Sequence, residues 1–270
     1  MSAGMDGRKH RVLFVGNSLT CFRTNRLDVF FREMGYDASS KITMGATLAD
    51  IWRQGGWAET IGYGGYDTVV IQDDLPEYKE LPHKRQHWRE VFDEFLPAVT
   101  SFVNAITAAG ARPIIYMAHS YPRLPMTQHH DICMCHTEAE QALDVTIAPG
   151  ALAHHMAFMR AFEITEWSLP LLEPDREHPS AEGLYLHACC IALAMLPASA
   201  EGDVDLDKAV PWAPSSFEDG KASFLKGVAR DAAIAWRTYA ADTGPDPKTV
   251  AMVEKYTEHS TTDYDGEDFD

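Results

Sequence analysis

Residues 11–19 read Arg-Val-Leu-Phe-Val-Gly-Asn-Ser-Leu. Successive side chains of a strand face opposite sides of its sheet, so the unbroken apolar run 12–15 needs apolar cover on both faces. Such a strand belongs inside a parallel sheet sandwiched between helices. Ligands of open parallel sheets gather beyond the carboxyl ends of the strands. Gly16, Asn17 and Ser18 therefore emerge where chemistry is expected.

The rest of the chain repeats this alternation. Residues 26–34 carry apolar side chains at helical spacing and stop near Gly35. A weaker, edge-like strand is expected at 39–44, and buried strands at 67–71 (DTVVI), 113–117 (PIIYM) and 144–148. Helices are expected at 87–109, kinked or interrupted by Pro97, at 151–165, at 180–196 and at 216–241. Strand and helix in turn predict an α/β protein, a three-layer sandwich about a central, mostly parallel five-stranded sheet. One domain over 1–245 is expected, with its core at 11–197 and a helical extension behind it. The acidic stretch 257–270 is expected to be a disordered tail.

Composition narrows the function. Of 270 residues 46% are hydrophobic, and the formal net charge is −17. Six of the acids lie in the last fourteen residues, yet the body is acidic as well. An acidic surface disfavours nucleic acid and anionic membranes as partners. The five cysteines are odd in number and partly adjacent, which points to reduced thiols rather than a disulfide framework. The polar start and the short first apolar run give no signal-peptide core, so cytoplasmic residence is expected.

Ser18, at the end of the first strand, is placed to act as a nucleophile beside backbone N–H groups; it can equally cap a following helix. A serine hydroxyl needs a base. Glu-Pro-Asp-Arg-Glu-His-Pro-Ser at 173–180 supplies one. Asp175 and His178 lie three residues apart in a segment kept from regular helix by two prolines. A turn of that length can fold the carboxylate onto the imidazole, leaving the other ring nitrogen for Ser18. The plainer reading is a solvated acidic loop before a helix capped by Ser180.

Together, Gly16-Asn17-Ser18-Leu19 and Asp175-Arg176-Glu177-His178 resemble the first and last blocks of the SGNH/GDSL hydrolase superfamily, over roughly residues 11–197. Many members carry Asp where this chain has Asn17. The resemblance implies a flavodoxin-like sheet, cofactor-free hydrolysis of acyl esters and a Ser18–His178–Asp175 triad. Gly45 resembles the second-block glycine, whose N–H would join that of Ser18 in an oxyanion hole. The third block departs from the usual pattern: Ile71-Gln72-Asp73-Asp74 stands where many members place an oxyanion-binding Asn. Gln72 is the substitute donor, and Asp73 and Asp74 must point away or be paired.

Other residues compete for roles. His119, Ser120 and Tyr121 follow the fourth buried strand; His119 and Tyr121 are candidate substrate contacts, and Ser120 with His119 is a weaker catalytic pair. His129, His130, Cys133, Cys135 and His136 are metal ligands by type but not by spacing, and a loop over the active-site mouth is the plainer expectation. Cys189 and Cys190 read as core thiols. Trp52 and Trp57 either line a sugar cleft or pack. The resulting expectation is an esterase for small acyl groups, possible substrates including acetylated carbohydrates, with no metal or cofactor. The alternatives are a binding module that has lost efficient catalysis and a metal protein built on residues 129–136.

Overall fold

The computed structural model describes residues 8–75, 88–121, 127–161, 168–197 and 204–241. The strand over the opening run is β1 (Arg11–Gly16). It pairs in parallel with β4 (Asp37–Ile42) on one side and β5 (Thr68–Ile71) on the other. β6 (Arg112–Tyr116) and β7 (Thr146–Ala148) complete a five-stranded parallel sheet in the order β4-β1-β5-β6-β7. Counted along the sheet's own strands this is 2-1-3-4-5, the flavodoxin-like order, and it reverses direction at β1. A small antiparallel hairpin, β2 (Cys21–Phe22) with β3 (Asn25–Arg26), stands apart.

Burial on both faces of β1 follows from its sequence. Val12 and Phe14 enter one core with α1 (Leu27–Glu33), α6 (Gly150–Ala161), α7 (Ala181–Ala194) and α9 (Lys221–Ala241). Leu13 and Val15 enter the other with α2 (Leu48–Arg53), α3 (Trp57–Gly64), α4 (Trp88–Ala108) and α5 (Thr127–Leu143). A short α8 (Leu206–Ala209) precedes α9. Every residue of α7 from Gly183 to Ala192 is buried, which explains a helix whose apolar residues run all round it. Cys189 and Cys190 lie here as free thiols at 0% exposure.

Several local expectations change. α4 runs through Pro97 without interruption. The carbonyl that Pro97 cannot serve belongs to Asp93, an exposed residue, and the hydroxyls of Thr100 and Ser101 donate to the Leu96 and Pro97 carbonyls at 2.7 and 3.0 Å. Residues 128–138 are not a loop but the body of α5. Ile132, Cys135, His136 and Ala139 are all buried at i, i+3, i+4 and i+7, so the histidine and cysteine form part of an apolar stripe. Trp57 is buried, and Trp52 and Trp57 both pack edge-on against Phe102, at 4.8 and 5.5 Å between ring centroids. The acidic stretch 257–270 lies outside the described residues. No described helix is long and apolar enough to cross a membrane.

Candidate active site

β1 ends at the point where the strand order reverses, and Ser18 follows it by two residues. The chain does not pass directly into a helix there. Thr20 N–H and Cys21 N–H return to the Asn17 carbonyl at 3.1 and 3.3 Å, the β2–β3 hairpin follows, and α1 begins only at Leu27, with Arg26 as its N-cap. Ser18 therefore caps no helix. Its side chain is 7% exposed, and its hydroxyl makes no hydrogen bond among the described residues.

Asn17 holds the turn. Its backbone N–H donates to Gln72 Oε1 at 3.0 Å, and its Oδ1 accepts from Leu19 N–H at 2.9 Å. Its Nδ2 donates to the Ala46 carbonyl at 3.1 Å and to Asp74 Oδ2 at 2.7 Å. The Ala46 bond tethers the Ser18 turn to the Gly45 loop. Gly45 has φ +64, a left-handed conformation that favours glycine, and open space lies in front of its α-carbon. The backbone N–H groups of Ser18 and Gly45 are not used by any described hydrogen bond. Gly16 has a different reason to be glycine: a β-carbon there would lie 2.6 Å from Gln72 Oε1 and 2.7 Å from Thr20 Oγ1.

The third block is turned inward. Gln72, 1% exposed, accepts from Asn17 N–H and from Thr20 Oγ1 and donates through Nε2 to the Asp73 carbonyl at 2.6 Å. Its amide is therefore engaged differently from the expected oxyanion donor: Oε1 is the buried acceptor for the strand-end N–H of Asn17, and Nε2 is turned onto the Asp73 carbonyl. Asp73 accepts from Leu48 N–H at the start of α2. Asp74 accepts from Asn17 and from the Tyr121 hydroxyl, the latter at 2.9 Å. Both acids are paired.

The acid and base lie on a stapled loop. Glu173 N–H donates to the His178 carbonyl at 2.8 Å and Ser180 N–H to the Leu171 carbonyl at 3.1 Å, closing a hairpin-like loop. At its tip Arg176 takes φ +61. Asp175 Oδ1 accepts the backbone N–H groups of Glu177 and His178, both at 3.0 Å, and Oδ2 meets His178 Nδ1 at 3.0 Å. Burial acts to raise the Asp175 carboxyl, but these bonds outweigh it and hold the group below the usual carboxylate range. Ser180 then caps α7 by accepting Gly183 N–H, and its hydroxyl donates to the Pro170 carbonyl.

Three contacts bring this loop to the carboxyl edge of the sheet. The Phe22 ring stacks on His178 with centroids 3.6 Å apart and planes 7° apart. Asn25 Nδ2 donates to Glu173 Oε1 at 2.7 Å and to the Pro179 carbonyl at 3.2 Å. His119 Nε2–H donates to the Glu177 carbonyl at 2.8 Å. The hairpin that follows Ser18 therefore also carries the floor beneath His178. No hydrogen bond joins Ser18 Oγ to His178.

His119 and Tyr121, expected to touch substrate, are each 1% exposed; His119 Nε2 is spent on the Glu177 carbonyl and the Tyr121 hydroxyl on Asp74. They are supports, not an exposed binding surface. The 129–136 cluster does not converge. His129 and Cys133 face one another a helical turn apart, with Nε2 and Sγ at 3.9 Å, whereas His136 donates Nδ1–H to the Ile132 carbonyl within the core. Phe22 and Asn25 were missed by reading the sequence; no motif marks them, and only the hairpin's docking reveals them. A cavity of about 230 Å³ lined by Arg112, Glu140 and Trp236 lies at the amino ends of β6 and β7, away from Ser18.

Fold and turn together define a three-layer parallel α/β protein with a serine turn at the carboxyl edge of its sheet, at the topological switch point. Its fold is that of the SGNH hydrolases. A protein from Slackia heliotrinireducens classed as an SGNH hydrolase is similar over 70% of this chain and 100% of its own, at TM-score 0.56 and 22% identity. TesA is similar over 70% of this chain and 99% of its own, at TM-score 0.51 and 12% identity. Axe2, an acetylxylan esterase from Geobacillus stearothermophilus, is similar over 68% of this chain and 93% of its own, at TM-score 0.50 and 18% identity. No protein-family model and no curated protein matches the sequence.

Proposed function

We propose that this chain is a serine hydrolase of small acyl esters. The observation that carries the reading is the Asp175–His178 pair, held at 3.0 Å on a loop that docks against the hairpin leaving Ser18. Ser18 Oγ attacks the ester carbonyl, and its proton passes to His178 Nε2. Asp175 fixes Nδ1 as the protonated nitrogen and stabilises the imidazolium that forms. The oxyanion builds against the unspent N–H groups of Ser18 and Gly45. His178 returns the proton to the leaving alcohol, and water repeats the sequence on the acyl-enzyme. The missing Ser18–His178 hydrogen bond is in keeping with a free enzyme, because catalytic contacts often tighten only around substrate.

Acetylated sugars are the first substrates to test, since Axe2 shares the fold and is an acetylxylan esterase. A fluorophosphonate probe should label Ser18, and p-nitrophenyl acetate should be hydrolysed. Ser18→Ala should lower kcat/KM by at least about a thousandfold with an unchanged Tm. Folded wild-type protein that neither takes the label nor turns over any acyl ester would favour a binding module on this fold. Labelling that survives Ser18→Ala would move the nucleophile elsewhere.

A further inference from the structure

Behind the base loop lie three histidines that no step above uses as acid, base or nucleophile. His119 follows β6 by three residues, His154 is on α6 and His187 is on α7, so three separate segments bring them together. One ring nitrogen of each lies within 4.8 Å of those of the other two. The His119 and His154 rings stack at 4.6 Å, and the His187 ring stands 5.4 and 5.6 Å from them.

Each ring keeps one buried nitrogen without a hydrogen-bond partner: Nδ1 of His119, Nδ1 of His154 and Nε2 of His187. The opposite nitrogens of two rings are already oriented. His119 Nε2–H donates to the Glu177 carbonyl, which can only accept, so Nδ1 presents a bare lone pair. His187 Nδ1 meets the Tyr116 hydroxyl at 2.6 Å; with Nδ1–H donating to the phenol oxygen, Nε2 presents a lone pair as well. Burial holds all three imidazoles on the neutral, ligating side, with His119 at about 4 and the other two well below the usual histidine value. Buried polar atoms without partners are rare in folded proteins, and three gathered together call for a shared occupant. Ligating histidines are held in the same way, by a carbonyl or hydroxyl on the other nitrogen.

We propose that His119, His154 and His187 bind one divalent transition-metal ion of the zinc type. Three neutral imidazoles suit zinc, copper, nickel or iron and do not suit magnesium or calcium. Tetrahedral coordination at about 2.0–2.1 Å brings ligand nitrogens to about 3.3 Å from one another, so the rings close by about an ångström or less each. His119 then links the ion to the Glu177 carbonyl, next to His178. Metal binding thereby stiffens the base loop from behind without touching substrate. The site stands whether or not Ser18 is a nucleophile.

The test uses full-length, tag-free protein stripped with a chelator. Added Zn²⁺ should bind at one equivalent with micromolar or tighter Kd and raise Tm. Added Co²⁺ should give the visible bands of a nitrogen-ligated tetrahedral site without a thiolate charge-transfer band. His154→Ala, at the least buried of the three, should weaken binding at least tenfold. His129→Ala, which removes the neighbouring His129–Cys133 pair, should leave it unchanged. Absence of stoichiometric binding by wild-type protein, a thiolate band, or loss of binding in His129→Ala but not in His154→Ala would overturn the assignment. Should His154→Ala misfold, the Co²⁺ spectrum of the wild type decides alone.

Discussion

The Asn17 side-chain amide donates to the Asp74 carboxylate at 2.7 Å, with both residues buried. The Asn17 amide and the Asp74 carboxylate thus form one compensated buried pair. An aspartate at 17 would set two carboxylates against each other in a buried site, and the amide removes the conflict. Asn17→Asp should cost about 3 kcal/mol or more of stability by leaving an unmatched buried charge. Adding Asp74→Asn should recover most of that loss. Chemical denaturation of the two single variants and the double variant measures the coupling, and additive effects would refute it.

The bond between Asp175 and His178 should matter for kcat more than for folding. Asp175 is exposed, and its loop is stapled by backbone bonds that do not need the carboxylate. Asp175→Asn should reduce kcat by about 10²–10⁴, since the asparagine cannot hold Nδ1 as a donor to an anion. Burst kinetics on p-nitrophenyl acetate would show slowed acylation. A kcat near wild type would remove Asp175 from the triad.

Phe22 is a positioning residue, acting through the His178 ring it stacks upon. Phe22→Ala should lower kcat roughly tenfold with a smaller change in KM, because the imidazole loses its floor. Phe22→Tyr should keep the stack and restore the rate. Equal loss in both variants would point to folding damage instead.

Gly16→Ala should fail where Gly45→Ala fails differently. The β-carbon at 16 meets Gln72 and Thr20 below 3 Å, so the turn must shift, at about 1–3 kcal/mol and with loss of activity. At 45 nothing is struck, but the backbone at φ +64 resists a side chain, so the strain is conformational and about 1 kcal/mol. Tm values of the two variants, read beside kcat, separate the mechanisms.

Acid should destabilise the metal-free protein from about pH 6.5 downward, well above the range of ordinary carboxylate loss. Burial lowers His119, His129 and His136 each to about 4, and His154 and His187 further. The native state keeps these rings neutral while the unfolded chain protonates, so stability rises with pH across that window. For His119, buried at 1% exposure, the loss by pH 5 is about 2 kcal/mol. The depressed Asp175 adds its own loss only below the usual carboxylate value. A urea midpoint that stays flat between pH 7 and pH 5 would contradict the buried, neutral histidines.

The sequence by itself determined the sheet and the chemistry-bearing turn ends. An unbroken apolar run can be buried only on both faces, so 12–15, 67–71 and 113–117 had to be interior parallel strands, and Ser18 had to leave the sheet at its functional edge. Asp175 and His178 were close enough in sequence for a local turn to join them. What lay at long range was not legible. Residues 128–138 looked like a ligand-rich loop because histidine and cysteine hide an apolar stripe; tertiary burial made them a helix. Gln72 looked like an oxyanion donor, and the fold engages its amide with Asn17 and the Asp73 carbonyl. Phe22 met His178, and His119, His154 and His187 met one another, only because five segments far apart in sequence converge. Local spacing fixes a turn or a strand, whereas side-chain partners of this kind depend on which elements the packed core brings together.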